Sequence, residues 1–216
     1  MPQVFHRSAN TAAKWTLLGG PVFLAIGLWV VYITNTSNYL TRQGMYRQQP
    51  VPFSHKHHVE DDGLDCRYCH TSVETSPFAG IPTTHVCMTC HSQIWAESAM
   101  LAPVHESYRT DTPIQWIRVN DLPDYVYFDH SIHVNKGVAC IMCHGEVNKM
   151  PLMYQAKSLR MKWCLSCHRE PERFVRPREH VFDMEWVPPR DQLTMGRNLV
   201  KEYRIQKLTD CYTCHR

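Results

Sequence analysis

No cysteine in this 216-residue chain lies outside one pattern. All ten fall into pairs separated by two residues, and each pair is followed directly by histidine. None is left over for a disulfide framework or a lipid anchor, so the usual readings of a cysteine-rich exported protein are excluded. An excess of one charge is missing too. The formal net charge is +3, too small to imply a nucleic-acid partner. Fourteen prolines disfavour long regular elements, and such a chain needs something besides its own side chains to fill a core. At this length, one domain plus an appendage is expected.

Charge is absent altogether from residues 15–41. Residues 15–34 are apolar enough and long enough to cross a bilayer as a helix. Lys14 and Arg42 flank the stretch, and Trp15, Trp29, Tyr32 and Tyr39 suit the two interfaces. Pro21 falls about one turn inside, where a kink is tolerated. No A-x-A site follows the run, which ends in Asn35-Thr36-Ser37, so a retained anchor is favoured over a cleaved signal peptide. No amphipathic stripe marks it as a buried core helix. The expected organisation is a cytoplasmic N-terminus over 1–14, a transmembrane anchor over 15–40, a linker over 41–52 and a cofactor-binding domain over 53–216. The Gln48-Gln49-Pro50-Val51-Pro52 segment reads as a stiff spacer.

The five motifs are Cys66-Arg67-Tyr68-Cys69-His70, Cys87-Met88-Thr89-Cys90-His91, Cys140-Ile141-Met142-Cys143-His144, Cys164-Leu165-Ser166-Cys167-His168 and Cys211-Tyr212-Thr213-Cys214-His215. Cysteines three apart stand one above the other on a helical turn, where their sulfurs reach the two vinyl groups of one porphyrin. The next histidine is then aimed at the iron. Each motif supplies a covalent tether and one axial ligand of a c-type haem. Zinc is the competing metal, but zinc ribbons use two pairs per ion and do not require histidine after each. With histidine at 14 of 216 positions, chance places one after all five pairs about once in a million trials. Five covalently attached haem c groups are therefore expected. Their ten propionates would carry the holoprotein to about −7. Attachment of c-type haem takes place outside the cytoplasm, which puts the haem domain on the periplasmic, extracytoplasmic side of the cytoplasmic membrane.

Two phrases repeat. Phe53-Ser54-His55-Lys56-His57-His58-Val59 precedes the first motif and Phe128-Asp129-His130-Ser131-Ile132-His133-Val134 the third. Each opens a module of two motifs, recurring after about 75 residues. Histidines three apart share a helical face and can reach different irons, so His55, His58, His130 and His133 are expected as distal ligands. His57 has Ile132 as its counterpart and is expected in solvent. His85 is tethered to the attachment side of its own motif, His105 stays unassigned, and His180 and Met161 are further candidates for a distal ligand. One iron then lacks a sixth ligand. Met184, in a Phe182-Asp183-Met184 echo of Phe128-Asp129-His130, is the first candidate and Met153 the second. The Arg169–Arg173 and Arg176–Glu179 runs mix both signs and read as solvated surface. The fold class expected is mainly α with much irregular structure: two dihaem modules plus a fifth haem on a single N-terminal transmembrane helix.

The F-x-H-x-x-H phrase before a motif resembles the small class III multihaem cytochromes c. There the first histidine ligates the haem of the following motif, which would pair His55 with His70 and His130 with His144. Nearly the whole chain resembles the pentahaem cytochrome c subunits of alternative complex III, most clearly in Asp121-Leu122-Pro123-Asp124-Tyr125-Val126-Tyr127, Met150-Pro151-Leu152-Met153 and Thr209-Asp210 before the last motif. That resemblance implies an electron-transfer subunit of a quinol:acceptor oxidoreductase. Its partners would be polytopic and iron–sulfur subunits, with a soluble cytochrome c, a copper protein or an oxidase as acceptor. A stand-alone membrane-anchored quinol dehydrogenase is the second reading. A multihaem reductase is disfavoured, because no C-x-x-C-K variant appears.

Overall fold

The computed structural model describes residues 4–216, in two compact units over 4–43 and 44–216. In the first unit, α1 (Ser8–Lys14) passes through a π-helical turn, Trp15–Gly19, into α2 (Gly20–Thr36). The wide turn lies just ahead of Pro21, which has no N–H to give and takes the first turn of α2. Near the far end, Asn35 Nδ2 and Thr36 Oγ1 donate to the carbonyls of Val31 and Tyr32, at 2.8 and 2.9 Å. Ser37 then adopts an extended conformation that ends α2. With a last turn at Asn38–Thr41, the stretch from Ser8 to Thr41 is long and apolar enough to cross a membrane, and none of its apolar window is buried.

The second unit is built from short helices and loops. They are α3 (Cys66–Cys69), α4 (Thr84–His91), α5 (Ala102–Thr110), α6 (His130–Asn135), α7 (Cys140–His144), α8 (Met161–Arg169), α9 (Gln192–Glu202) and α10 (Cys211–Cys214). Three of them start on an aspartate that caps the helix. Asp65 accepts from Arg67 N, Asp129 from Ile132 N and Asp210 from Thr213 N. Among the described residues there is no strand; isolated antiparallel bridges join Tyr46 to Tyr154 and Val126 to His215.

Among the described residues, packing is divided among three small clusters rather than one core. Val51, Leu101 and Val104 pack with Cys87 and Met88; Val73, Val134 and Val181 pack with Ala79 and Phe182; Val175, Leu199 and Tyr203 pack with Val138 and Met195. The second cluster joins the two modules, since Val73 follows the first motif and Val134 lies on α6. Close backbone contacts fix the third. A Cβ on Gly196 of α9 would run into the Glu172 carbonyl oxygen, and one on Gly137 into that of Arg176. Arg176 departs from the expected solvated run. It is 4% exposed and stacks on Trp186, with its guanidinium carbon 4.4 Å from the ring centre.

Candidate haem-binding site

Every Cys-x-x-Cys pair lies within a helical turn, on α3, α4, α7, α8 or α10. All ten cysteines are free thiols, which leaves each pair available for thioether attachment.

The histidines meet in pairs. Ring centres are 6.5 Å apart for His55 and His70, 6.1 Å for His58 and His91, 6.3 Å for His130 and His144, and 6.1 Å for His133 and His168. These gaps are too wide for stacking. Imidazole nitrogens bind metals at about 2 Å and lie about 1.1 Å from the ring centre, so two imidazoles across one metal ion have centres about 6.3 Å apart. The planes repeat between the modules. The first histidine of each phrase is nearly parallel to its partner, at 5° and 8°, and the second is turned by 67° in both.

The repeated phenylalanine explains part of this symmetry. Phe53 meets His55 edge-on at 4.8 Å and lies over His58 at 4.5 Å. Phe128 does the same to His130 and His133, at 4.8 and 4.7 Å. One ring thus braces two imidazoles that serve different pairs, a role signalled in the sequence only by the recurrence of phenylalanine at the head of both phrases.

Five of the eight rings are also held from behind. Nδ1 lies 2.8 Å from Ser54 O in His58, 2.7 Å from Gly80 O in His70, 3.0 Å from Ile94 O in His91, 2.8 Å from Pro77 O in His130 and 2.6 Å from Asp129 O in His133. A carbonyl acceptor puts the proton on Nδ1 and leaves the Nε2 lone pair for a metal. The 72–80 loop serves both modules, for Gly80 holds His70 while Pro77 holds His130. Burial, with smaller contributions from neighbouring histidines, lowers both His55 and His144 to about 4. Both are therefore neutral, the form that binds metal.

In space the motifs run second, first, third, fourth, fifth. Tyr68 and Thr89 join the first two through their hydroxyls at 2.9 Å. Ser131 N and His130 N bond Ser76 O and Pro77 O, joining the first module to the second. Burial and then the neighbouring Cys66 push Cys140 up to about 12. Burial and then Cys167 do the same to Cys143, and burial followed by Cys214 raises Cys164. The two exposed cysteines, Cys90 and Cys211, belong to the two ends of this series.

His215 lies beside a tyrosine: the Tyr125 ring centre is 5.8 Å away, and Tyr127 N bonds Cys214 O at 2.8 Å. Met184 lines a cavity of about 430 Å³ with Asp65, Cys66 and Phe182, beside the first motif rather than the fifth. Met153 accepts from Arg47 N through its carbonyl, next to the Tyr46–Tyr154 bridge. His57 is half exposed between Asp61 and Asp62, at 3.7 and 3.5 Å. His85 meets Tyr108 edge-on, and His180 Nδ1 lies 3.3 Å from Asp183 Oδ2.

A family model described as cytochrome c7 and related cytochrome c matches residues 126–216. The multiheme cytochrome c subunit of a menaquinone reductase from Nitratidesulfovibrio vulgaris is 30% identical over 180 residues, which cover 74% of this chain and 86% of that subunit. The chain belongs to the multihaem cytochromes c. Covalent haem c and electron transport come with that family. The cytochrome's own residues fit the group: paired cysteines on helical turns, neutral buried imidazoles and ring gaps of one metal's width.

Proposed function

We propose that this cytochrome holds five haem c groups, one per motif, and conducts electrons as the membrane-anchored subunit of a quinone-linked oxidoreductase. The observation that carries the reading is the set of four facing histidine pairs. Haem c supplies a one-electron iron couple whose potential the protein sets through ligands, hydrogen bonds and burial. The cysteines tether the groups through Cys66 and Cys69, Cys87 and Cys90, Cys140 and Cys143, Cys164 and Cys167, and Cys211 and Cys214. His70, His91, His144 and His168 would hold iron as the motif histidines, and His55, His58, His130 and His133, which face them, would hold it as the second ligands. His215 holds the fifth. Met153, Met161 and His180 are its remaining distal candidates, because Met184 lies beside a motif that already has two histidines.

With two histidines for each of four groups, those four would have no place for a substrate, which favours conduction over a reductase. The helix over 15–40 anchors the cytochrome in the cytoplasmic membrane, with the haem domain outside. Polytopic and iron–sulfur subunits complete the complex, and a soluble cytochrome c, a copper protein or an oxidase takes the electrons from quinol. The relative's name supports a second reading, in which electrons run the other way, toward menaquinone.

Extraction with mild detergent, identification of co-purifying chains and assay in both directions test these readings. Co-purification with polytopic and iron–sulfur subunits and quinol-dependent cytochrome c reduction are expected. Menaquinone reduction alone would establish the reverse direction. A lone chain with full activity would contradict the subunit reading and make it a quinol dehydrogenase by itself.

A further inference from the structure

Five of the eight paired histidines give Nδ1 to a main-chain carbonyl. His144 breaks the pattern, because its Nδ1 lies 3.1 Å from the side-chain amide of Asn120, at Nδ2. An imidazole that binds iron through Nε2 keeps its proton on Nδ1, so this contact sets one donor against another. The Oδ1 of the same amide is buried and has no partner. Amide oxygen and nitrogen differ only by a half-turn of the terminal group. That half-turn converts the contact into an N–H···O=C hydrogen bond, the one arrangement that suits a metal-bound His144. We propose that Asn120 is a positioning residue for the third motif, accepting the His144 Nδ1 proton through Oδ1 and setting the potential of the iron that His144 holds.

The inference rests on the reading of His144 as a ligand. Its weight comes from chemistry that Asn120 alone brings. The other acceptors are main-chain carbonyls, which every residue carries, whereas this one is a side chain that substitution can remove or charge. An acceptor behind an imidazole raises its basicity and favours the ferric iron. The site is dry enough for the effect to be large, since the Asn120 amide oxygen is itself shut off from solvent. Asn120 reaches motif three from the 111–127 connection ahead of the second module, so the third site is tuned by a segment outside its own phrase.

The experiment is a potentiometric titration of detergent-solubilised Asn120→Leu and Asn120→Asp holoproteins, with haem content checked by intact mass. Leucine removes the acceptor and moves one midpoint positive. Aspartate strengthens it and moves the same midpoint negative, with the others unchanged. Shifts of the same sign in both variants, or no shift in either, would overturn the proposal. His144→Met is the control for the underlying reading. A changed spectrum at one haem supports it, and an unchanged spectrum removes His144 from the ligand set and this inference with it.

Discussion

Phe53 and Phe128 show how much of this cytochrome is decided by single side chains. Each presents its edge to one imidazole and its face to another. The paired histidines were legible in the sequence because their spacing repeats, and the motif cysteines because tether and ligand are adjacent in the chain. The groups behind the rings were not legible. Gly80 and Pro77 act through main-chain carbonyls, which carry no signature of residue type. Asn120 is a lone amide in an irregular segment, and Arg176 sits in a charged run that gives no sign of its burial. His130→Met is predicted to move one midpoint positive, because a thioether favours ferrous iron more than imidazole does. The same variant should retain every haem, since the cysteines are untouched. Optical redox titration with a haem count checks both points, and loss of several haems would show that His130 governs folding instead.

At the scale of elements, the unit that repeats is a phrase plus two motifs, and it repeats in geometry as well as in order. In each module the first pair is nearly parallel and the second is turned by 67°. Low-spin ferric haem with parallel imidazoles gives a rhombic electron paramagnetic resonance signal, and strongly turned imidazoles give a highly anisotropic one. The oxidised protein is predicted to show both types in equal number among its bis-histidine haems; a single type would contradict the pairing. The apolar helix was legible from its length and missing charge. Its π-helical turn ahead of Pro21 was not, since the change of winding is a local answer to one missing N–H. Full-length protein is predicted to stay with membranes through a high-salt wash. Replacing residues 1–43 with a cleavable export signal should release a soluble haem protein. Recovery of the native protein as a soluble chain without its N-terminal helix would identify that helix as a leader instead.

For the whole molecule, the organising fact is that side-chain packing among the described residues is dispersed into three small clusters. The sequence carries the two modules and the extra motif. It does not carry their order in space, because the contacts that set that order, Tyr68 with Thr89 and Ser131 with Ser76, join polar residues with no pattern of their own. The order leaves Cys90 and Cys211 exposed at opposite ends, where an electron donor and an acceptor can approach without competing. All of this rests on every motif carrying its haem. Intact-mass spectrometry of the native protein measures that most directly. The mass expected is that of the chain plus five haems, with no cysteine left for alkylation; a smaller number of haems, or metal-bound or disulfide-linked cysteines in any motif, would contradict a five-haem conductor.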